Sequence, residues 1–233
     1  MKILCFTDVH GSLNSLLALA KTDDFKNADR IIFLGDVVVG CSRPNECIEF
    51  IHSLNCDCIF GNNDSYIFDH VPEVDLVEFT KDKVGQLQWM SDNITDCNKK
   101  ILSDWNRSLE LLIEGKKFYF TQYVWEDYNN DVNVIDTPLK LSLEARKEMF
   151  GKINADYYIF GHEHKTSYFT DGNKHYYCLG SLGLTNPGAY LVIECNNNKI
   201  EFKEKFVNFD INQEILLMDK AGYPYEKSKI NNK

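Results

Sequence analysis

Four short apolar runs in this chain each end in a turn that carries metal-binding side chains, and this pattern constrains the fold more than any other feature. Ile3 to Thr7 runs into Asp8-Val9-His10, and Arg30 to Leu34 into Gly35-Asp36. Cys58 to Phe60 runs into Gly61-Asn62-Asn63-Asp64, and Tyr157 to Phe160 into Gly161-His162-Glu163-His164. Nearly continuous apolar runs of this length read as strands covered on both faces, as in the parallel sheets of α/β proteins. In such sheets ligands bind beyond the carboxyl ends of the strands, where these carboxylates, amides and imidazoles lie.

The intervening segments fit that reading. Ser12 stands as an N-cap before the helically spaced Leu13, Leu16, Leu17, Leu19 and Ala20; Ser42 and Pro44 open a second helix carrying Cys47, Ile48, Phe50, Ile51 and Leu54. The strand rhythm stops between Tyr66 and Asn106. There Asp82 and Thr95 are expected to cap two helices, held down by Trp89 and Trp105. Leu109 to Ile113 and Phe118 to Thr121 form an expected hairpin, followed by Gln122-Tyr123, an acidic loop from Glu126 to Asp136 and a helix from Leu141 to Phe150. Later strands are expected at Thr166–Thr170, His175–Leu179, Ala189–Glu194 and Ile200–Val207. The turns Asp171-Gly172-Asn173 and Asn196-Asn197-Asn198 separate them, and a helix near Gln213–Lys220 closes the series. Strand–helix alternation first and hairpins later predict an α/β protein with two sheets packed face to face and helices outside. One domain over residues 1–220 with a C-terminal tail, 221–233, is the economical organisation.

Composition narrows the function. The balance of 25 basic against 35 acidic residues gives a net charge of −10, which disfavours long nucleic acid as a partner. No apolar run is long enough to span a membrane, and the first residues do not form a signal sequence, so the chain reads as cytoplasmic. The eight cysteines lack a Cys-x-x-Cys pair and mostly sit in apolar runs, as reduced buried thiols do.

Gathering the strand-end groups gives Asp8, His10, Asp36, Asn62, His162 and His164. A mixed set of carboxylate, amide and imidazole suits a divalent transition metal better than calcium or magnesium, which prefer oxygen alone. Manganese is favoured, with iron, zinc or nickel as alternatives. An aspartate between two ions about 3.5–4 Å apart can bridge them, and such a pair clamps a phosphoryl group for in-line attack. Hydrolysis of a small phosphoester follows as the expected chemistry.

Asp8-x-His10, Gly35-Asp36, Gly61-Asn62-x-Asp64 and Gly161-His162-x-His164, in this order and each after a strand, resemble the signature of the calcineurin-like metallophosphoesterases, in particular their small single-domain phosphodiesterase branch. Leu179-Gly180-Ser181-Leu182-Gly183 with Asn186-Pro187-Gly188 resembles that branch's glycine-rich loop. The resemblance implies a four-layer α/β/β/α sandwich of two mixed sheets, with the 66–106 segment as a helical elaboration. It implies a first metal on Asp8, His10, Asp36 and His164, and a second on Asp36, Asn62 and His162. It also implies catalysis by a metal-bound hydroxide with His10, Asn62 and Asn63 in the catalytic machinery.

Two departures stand out. Where the family places a further histidine after a strand, this chain has Phe120-Thr121-Gln122-Tyr123, so Gln122 takes the ligand slot with a weaker amide oxygen. Asn63 replaces a histidine found in many relatives and cannot transfer a proton near neutral pH. Asp64 is expected to cap a helix or support a ligand histidine, and Glu163 to face solvent; His52, His70 and His175 are read as surface or core histidines. Glu126, Asp127 or Asp131 could supply a ligand in place of the missing imidazole. The alternative to an enzyme is a catalytically weak or inactive protein-binding scaffold of the same fold, which Gln122 motivates.

Overall fold

A computed structural model describes residues 1–68, 81–128, 131–134, 142–197 and 199–225, with the backbone alone at 125–128 and 131–134. Two five-stranded sheets carry the fold. In the first, β1 (Lys2–Phe6), β2 (Arg30–Phe33) and β3 (Asp57–Cys58) run parallel, β11 (Gly188–Asn196) adds antiparallel to β1 and β12 (Lys199–Val207) antiparallel to β11, in the order β12-β11-β1-β2-β3. In the second, β5 (Lys116–Thr121), β8 (Tyr157–Phe160) and β10 (His175–Cys178) are parallel, flanked by antiparallel β4 (Ser108–Ile113) and β9 (Ser167–Thr170).

Side-chain alternation stacks these sheets into four layers. In β1, Ile3 and Cys5 join Ile32, Leu34, Phe118, Phe120, Tyr157, Ile159, Leu191 and Ile193 in the core between the sheets. Leu4 and Phe6 point the other way, into a core shared with Leu16 and Leu19 of α1 (Leu13–Ala20) and Ile48 and Ile51 of α3 (Pro44–Ser53). In β8 the same two-residue period sends Tyr158 and Phe160 outward against Phe150. A strand with apolar layers on both faces can afford no polar position, which is why these strands read as unbroken apolar runs. The architecture is the expected α/β/β/α sandwich.

Several local expectations shift. The second predicted helix has Arg43, not Ser42, in the N-cap position, with Pro44 first and no side-chain cap bond, and the Ser42 hydroxyl is buried without a hydrogen-bond partner. Only Asp57 and Cys58 form β3, and Ile59 pairs singly with Asn106. A short helix, α2 (Asp23–Lys26), went unforeseen although Thr22 caps it through Phe25 N–H. The short α4 (Asn62–Ser65) follows the third turn, and the helical elaboration contains α5 (Lys81–Asn93) and α6 (Asp96–Ser103), the latter capped by Thr95 as predicted; residues 69–80, with His70, lie outside the described residues. Trp105 packs edge-on to Phe33, and Trp89 to Tyr223. Where an acidic loop was expected, the backbone forms a ribbon of β6 (Trp125–Tyr128) and β7 (Asp131–Val134); the side chains of Glu126, Asp127 and Asp131 are outside the description. The last helix, α8 (Ile211–Ala221), starts earlier and ends later than predicted. Tyr223, inside the expected tail, is buried and accepts the Gly40 N–H at 2.6 Å. All eight cysteines are free.

Candidate metal centre

The four ligand-bearing turns, which follow β1, β2, β3 and β8, meet beyond the carboxyl ends of these strands. Asp8, His10, Asp36, His162 and His164 all have left-handed backbone, with φ of +54°, +53°, +60°, +74° and +56°. Non-glycine residues rarely adopt this conformation, and clusters of them mark sites whose surroundings over-determine the backbone. Hydrogen bonds do that here. Asp8 N–H donates to Gly35 O at 2.9 Å, His10 N–H to Asp36 O at 3.0 Å and Gly11 N–H to Val37 O at 2.7 Å, locking the first turn to the second. From the last sheet, Ser181 Oγ donates to Asp8 O at 2.7 Å and Leu182 N–H to Thr7 O at 3.0 Å, which gives the glycine-rich loop a bracing role. Gly61 and Gly161 permit the close approach: a methyl group on Gly61 would lie 2.1 Å from Asp36 Oδ1, and one on Gly161 2.2 Å from Thr7 Oγ1.

Ligand atoms of Asp8, His10 and His164 all lie within 4.8 Å of one another. The Nε2 atoms of His10 and His164 face each other at 3.0 Å, and Asp8 Oδ1 lies 3.4 Å from His164 Nε2. His10 Nδ1 contacts Val38 O at 3.1 Å and Val39 O at 2.5 Å, two acceptors that require Nδ1 to carry the proton. The lone pair of neutral His10 is therefore on Nε2, which points into the cluster. Asp36 Oδ2 stands 4.0 Å from His10 Nε2. Burial acts to raise the Asp8 carboxyl, yet His164 and His10 beside it hold it well below the usual carboxylate range. Burial pushes Asp36 up to about 6, with His10 acting against it and Asp64 and Asp8 adding to the rise. Crowded buried carboxylates beside facing imidazoles fit a divalent cation, which would relieve both.

The second predicted half is built differently. His162 Nδ1 lies 3.0 Å from Asn62 Oδ1, and its ring leans on Tyr123 with centroids 4.3 Å apart. Gln122 is fully buried at the centre, with Nε2 at 3.2 Å from Asp36 Oδ2 and 3.5 Å from Asp8 Oδ1. Its Oε1 is buried without a hydrogen-bond partner. Exchanging the two ends of that amide would aim Oε1 at the carboxylates, an arrangement favourable only with a cation between them.

Asn63 does not face open space. Its N–H donates to Asp36 Oδ1 at 2.9 Å and its Nδ2 to Asp36 Oδ2 at 2.5 Å, so it orients the carboxylate. Asp64 caps a helix, as one of its two expected roles had it: its carboxylate closes the capping box at Gly61, and it accepts N–H groups from Gly61, Asp36, Val37 and Val38 at 2.9 to 3.2 Å and so brackets two turns together. Glu163, expected in solvent, is buried in a bidentate pair with Arg146 of α7 (Leu143–Met149), at 2.5 and 2.6 Å. Arg146 was missed because a lone arginine in a surface-patterned helix carries no local sign of burial. Away from the centre, His175 stacks on Tyr157 and His52 lines a cavity beside Cys56 and Cys58.

A family model for the calcineurin-like phosphoesterase superfamily domain matches residues 1–198. The chain belongs to this superfamily. An uncharacterised protein of Methanocaldococcus jannaschii is 30% identical over 140 residues, and the match covers 56% of each chain, so this chain spans about half the length of that curated relative. A metallophosphoesterase from Sphaerobacter thermophilus superposes with TM-score 0.73 at 18% identity, covering 99% of this chain and 97% of its own. A hypothetical protein from Pyrococcus horikoshii superposes with TM-score 0.78 at 17% identity, covering 99% and 96%. These two likenesses show the calcineurin-like fold. No helix among the described residues is long and apolar enough to cross a membrane.

Proposed function

We propose that this calcineurin-like chain is a metal-dependent phosphodiesterase acting on a small phosphodiester. The observation that carries the reading is the convergence of Asp8, His10 and His164 on one point, each on strained backbone, with Asp36 beside them. A scaffold has no physical reason to bury such groups, since each costs desolvation unless paired. A divalent ion, manganese in our reading, would be held by Asp8, His10, Asp36 and His164, and supplies Lewis-acid polarisation and an activated water.

The chain's own residues then set the geometry. His10 offers its Nε2 because the carbonyls of Val38 and Val39 hold the proton on Nδ1. Asn63 holds Asp36 in place, and Asn62 holds the His162 ring through its Nδ1. The Asn63 side chain, unlike an imidazole, cannot protonate a leaving group, which favours substrates with good leaving groups. A phosphodiester carries one negative charge and a monoester nearly two near pH 7, and a centre with one firm ion neutralises the smaller charge better. Free cysteines fit a reducing, cytoplasmic setting.

The test is metal analysis of the purified protein alongside turnover of bis-p-nitrophenyl phosphate and p-nitrophenyl phosphate with added Mn²⁺. Bound metal and preference for the diester are expected. Absence of both metal and turnover under every divalent cation tried would overturn the reading. Gln122→His restores a stronger ligand at the second half, so the weaker of two metal-binding steps should tighten about tenfold or more by calorimetry. Unchanged affinity would place Gln122 outside the ligand shell.

A further inference from the structure

Lys83 stands in the first turn of α5, in the helical elaboration rather than in any of the strand-end turns, and its ammonium reaches the centre. Lys83 Nζ donates to Asn63 Oδ1, and Asn63 Nδ2 in turn donates to Asp36 Oδ2. The same ammonium lies 6.0 Å from the Tyr66 ring centroid, and the Tyr66 hydroxyl accepts from Asn62 Nδ2 at 3.4 Å. Lys83, Tyr66, Asn62 and Asn63 thus form one flank, joined to His162 through Asn62.

The charge balance of the centre asks for a cation on this flank. Asp8, Asp36 and Asp64 are fully buried carboxylates, and Gln122 contributes only a neutral amide. One divalent ion leaves these three carboxylates with a residual negative charge, which would repel an incoming phosphoryl anion. One N–H of the half-buried Lys83 ammonium meets the neutral amide oxygen of Asn63, and passing that N–H to a phosphoryl oxygen pairs the ammonium with an opposite charge, a stronger contact.

We propose that Lys83 is a substrate-binding residue of this centre, its ammonium receiving a non-bridging oxygen of the phosphoryl group beside a single firmly held divalent ion. The assignment rests on the phosphodiesterase reading above, and it gives the helical elaboration a function: it delivers to the site the positive charge that Gln122 does not help a second ion supply.

The test compares wild type, Lys83→Met and Lys83→Arg, all loaded with Mn²⁺. Metal content is measured by mass spectrometry, inorganic phosphate binding by calorimetry, and bis-p-nitrophenyl phosphate turnover by steady-state kinetics. Lys83→Met is expected to keep the wild-type ion, to weaken phosphate binding about 10- to 100-fold, and to raise KM more than it lowers kcat. Lys83→Arg should stay near wild type. Unchanged phosphate affinity in Lys83→Met at full metal content would overturn the assignment alone, as would loss of the ion in that variant, which would make Lys83 a support of the metal site. Absence of metal and turnover in wild type would remove the reading beneath it. Should Lys83→Met fail to fold by circular dichroism, Lys83→Gln answers the same question at similar chain length.

Discussion

Asp8→Asn is expected to lower turnover on the order of 10³-fold and to strip the bound ion, the larger of the two effects anticipated for this protein. Asp8 serves three histidines at once. Oδ1 faces the His164 and His10 imidazoles at 3.4 and 3.7 Å, and Oδ2 accepts the His162 N–H at 3.0 Å. Asparagine keeps the volume, but one end of its amide is a donor. That end must oppose either the His162 N–H, distorting the His-x-His turn, or the imidazole lone pairs, expelling the cation. The measurement is metal content together with diester turnover. A variant that retains both would show that the cluster does not form the reacting centre.

Glu163→Gln is expected to cost about 3–5 kcal/mol, because it leaves the Arg146 guanidinium buried without a counter-charge. Both side chains are 1% exposed, and Arg146 also lies over the Phe160 ring at 5.0 Å, so water cannot replace the lost carboxylate. For a chain of this size the loss corresponds to a melting temperature lower by about 10 °C. The double variant Arg146→Met with Glu163→Leu separates stability from function. Removing both charges should recover most of the lost stability, since buried pairs often do little better than apolar replacements. Metal affinity should nevertheless fall, because the pair also fixes the turn that holds His162 and His164. A Glu163→Gln protein that melts within a degree or two of wild type would show that the pair is not buried in solution.

Much of this was legible along the chain. The turns after Ile3–Thr7, Arg30–Leu34, Cys58–Phe60 and Tyr157–Phe160 announced themselves because doubly covered strands are apolar throughout and their polar punctuation is conspicuous. Caps at Thr95 and the hairpin of β4 and β5 were legible for the same reason, as local chemistry with local partners. Less visible were features whose partners are distant. Ser42 looks as good a cap as Thr95, and only the path of the chain makes Arg43 the cap instead. The two-residue β3 and the ribbon at Trp125–Val134 depend on pairing that no single run specifies.

The sequence by itself determined the order of the layers and which turns carry Asp8, His10, Asp36, Asn62, His162 and His164, because burial on two faces writes itself into hydrophobic pattern. What those side chains do was decided by tertiary structure. Asn63 grips Asp36, Asp64 clasps four backbone N–H groups, Gln122 turns its amide on two carboxylates, Glu163 is drawn inside by Arg146, and Lys83 arrives from a neighbouring helix. Hydrogen-bond direction and charge pairing act over about 3 Å between atoms whose residues lie anywhere along the chain, so no local window of sequence contains them.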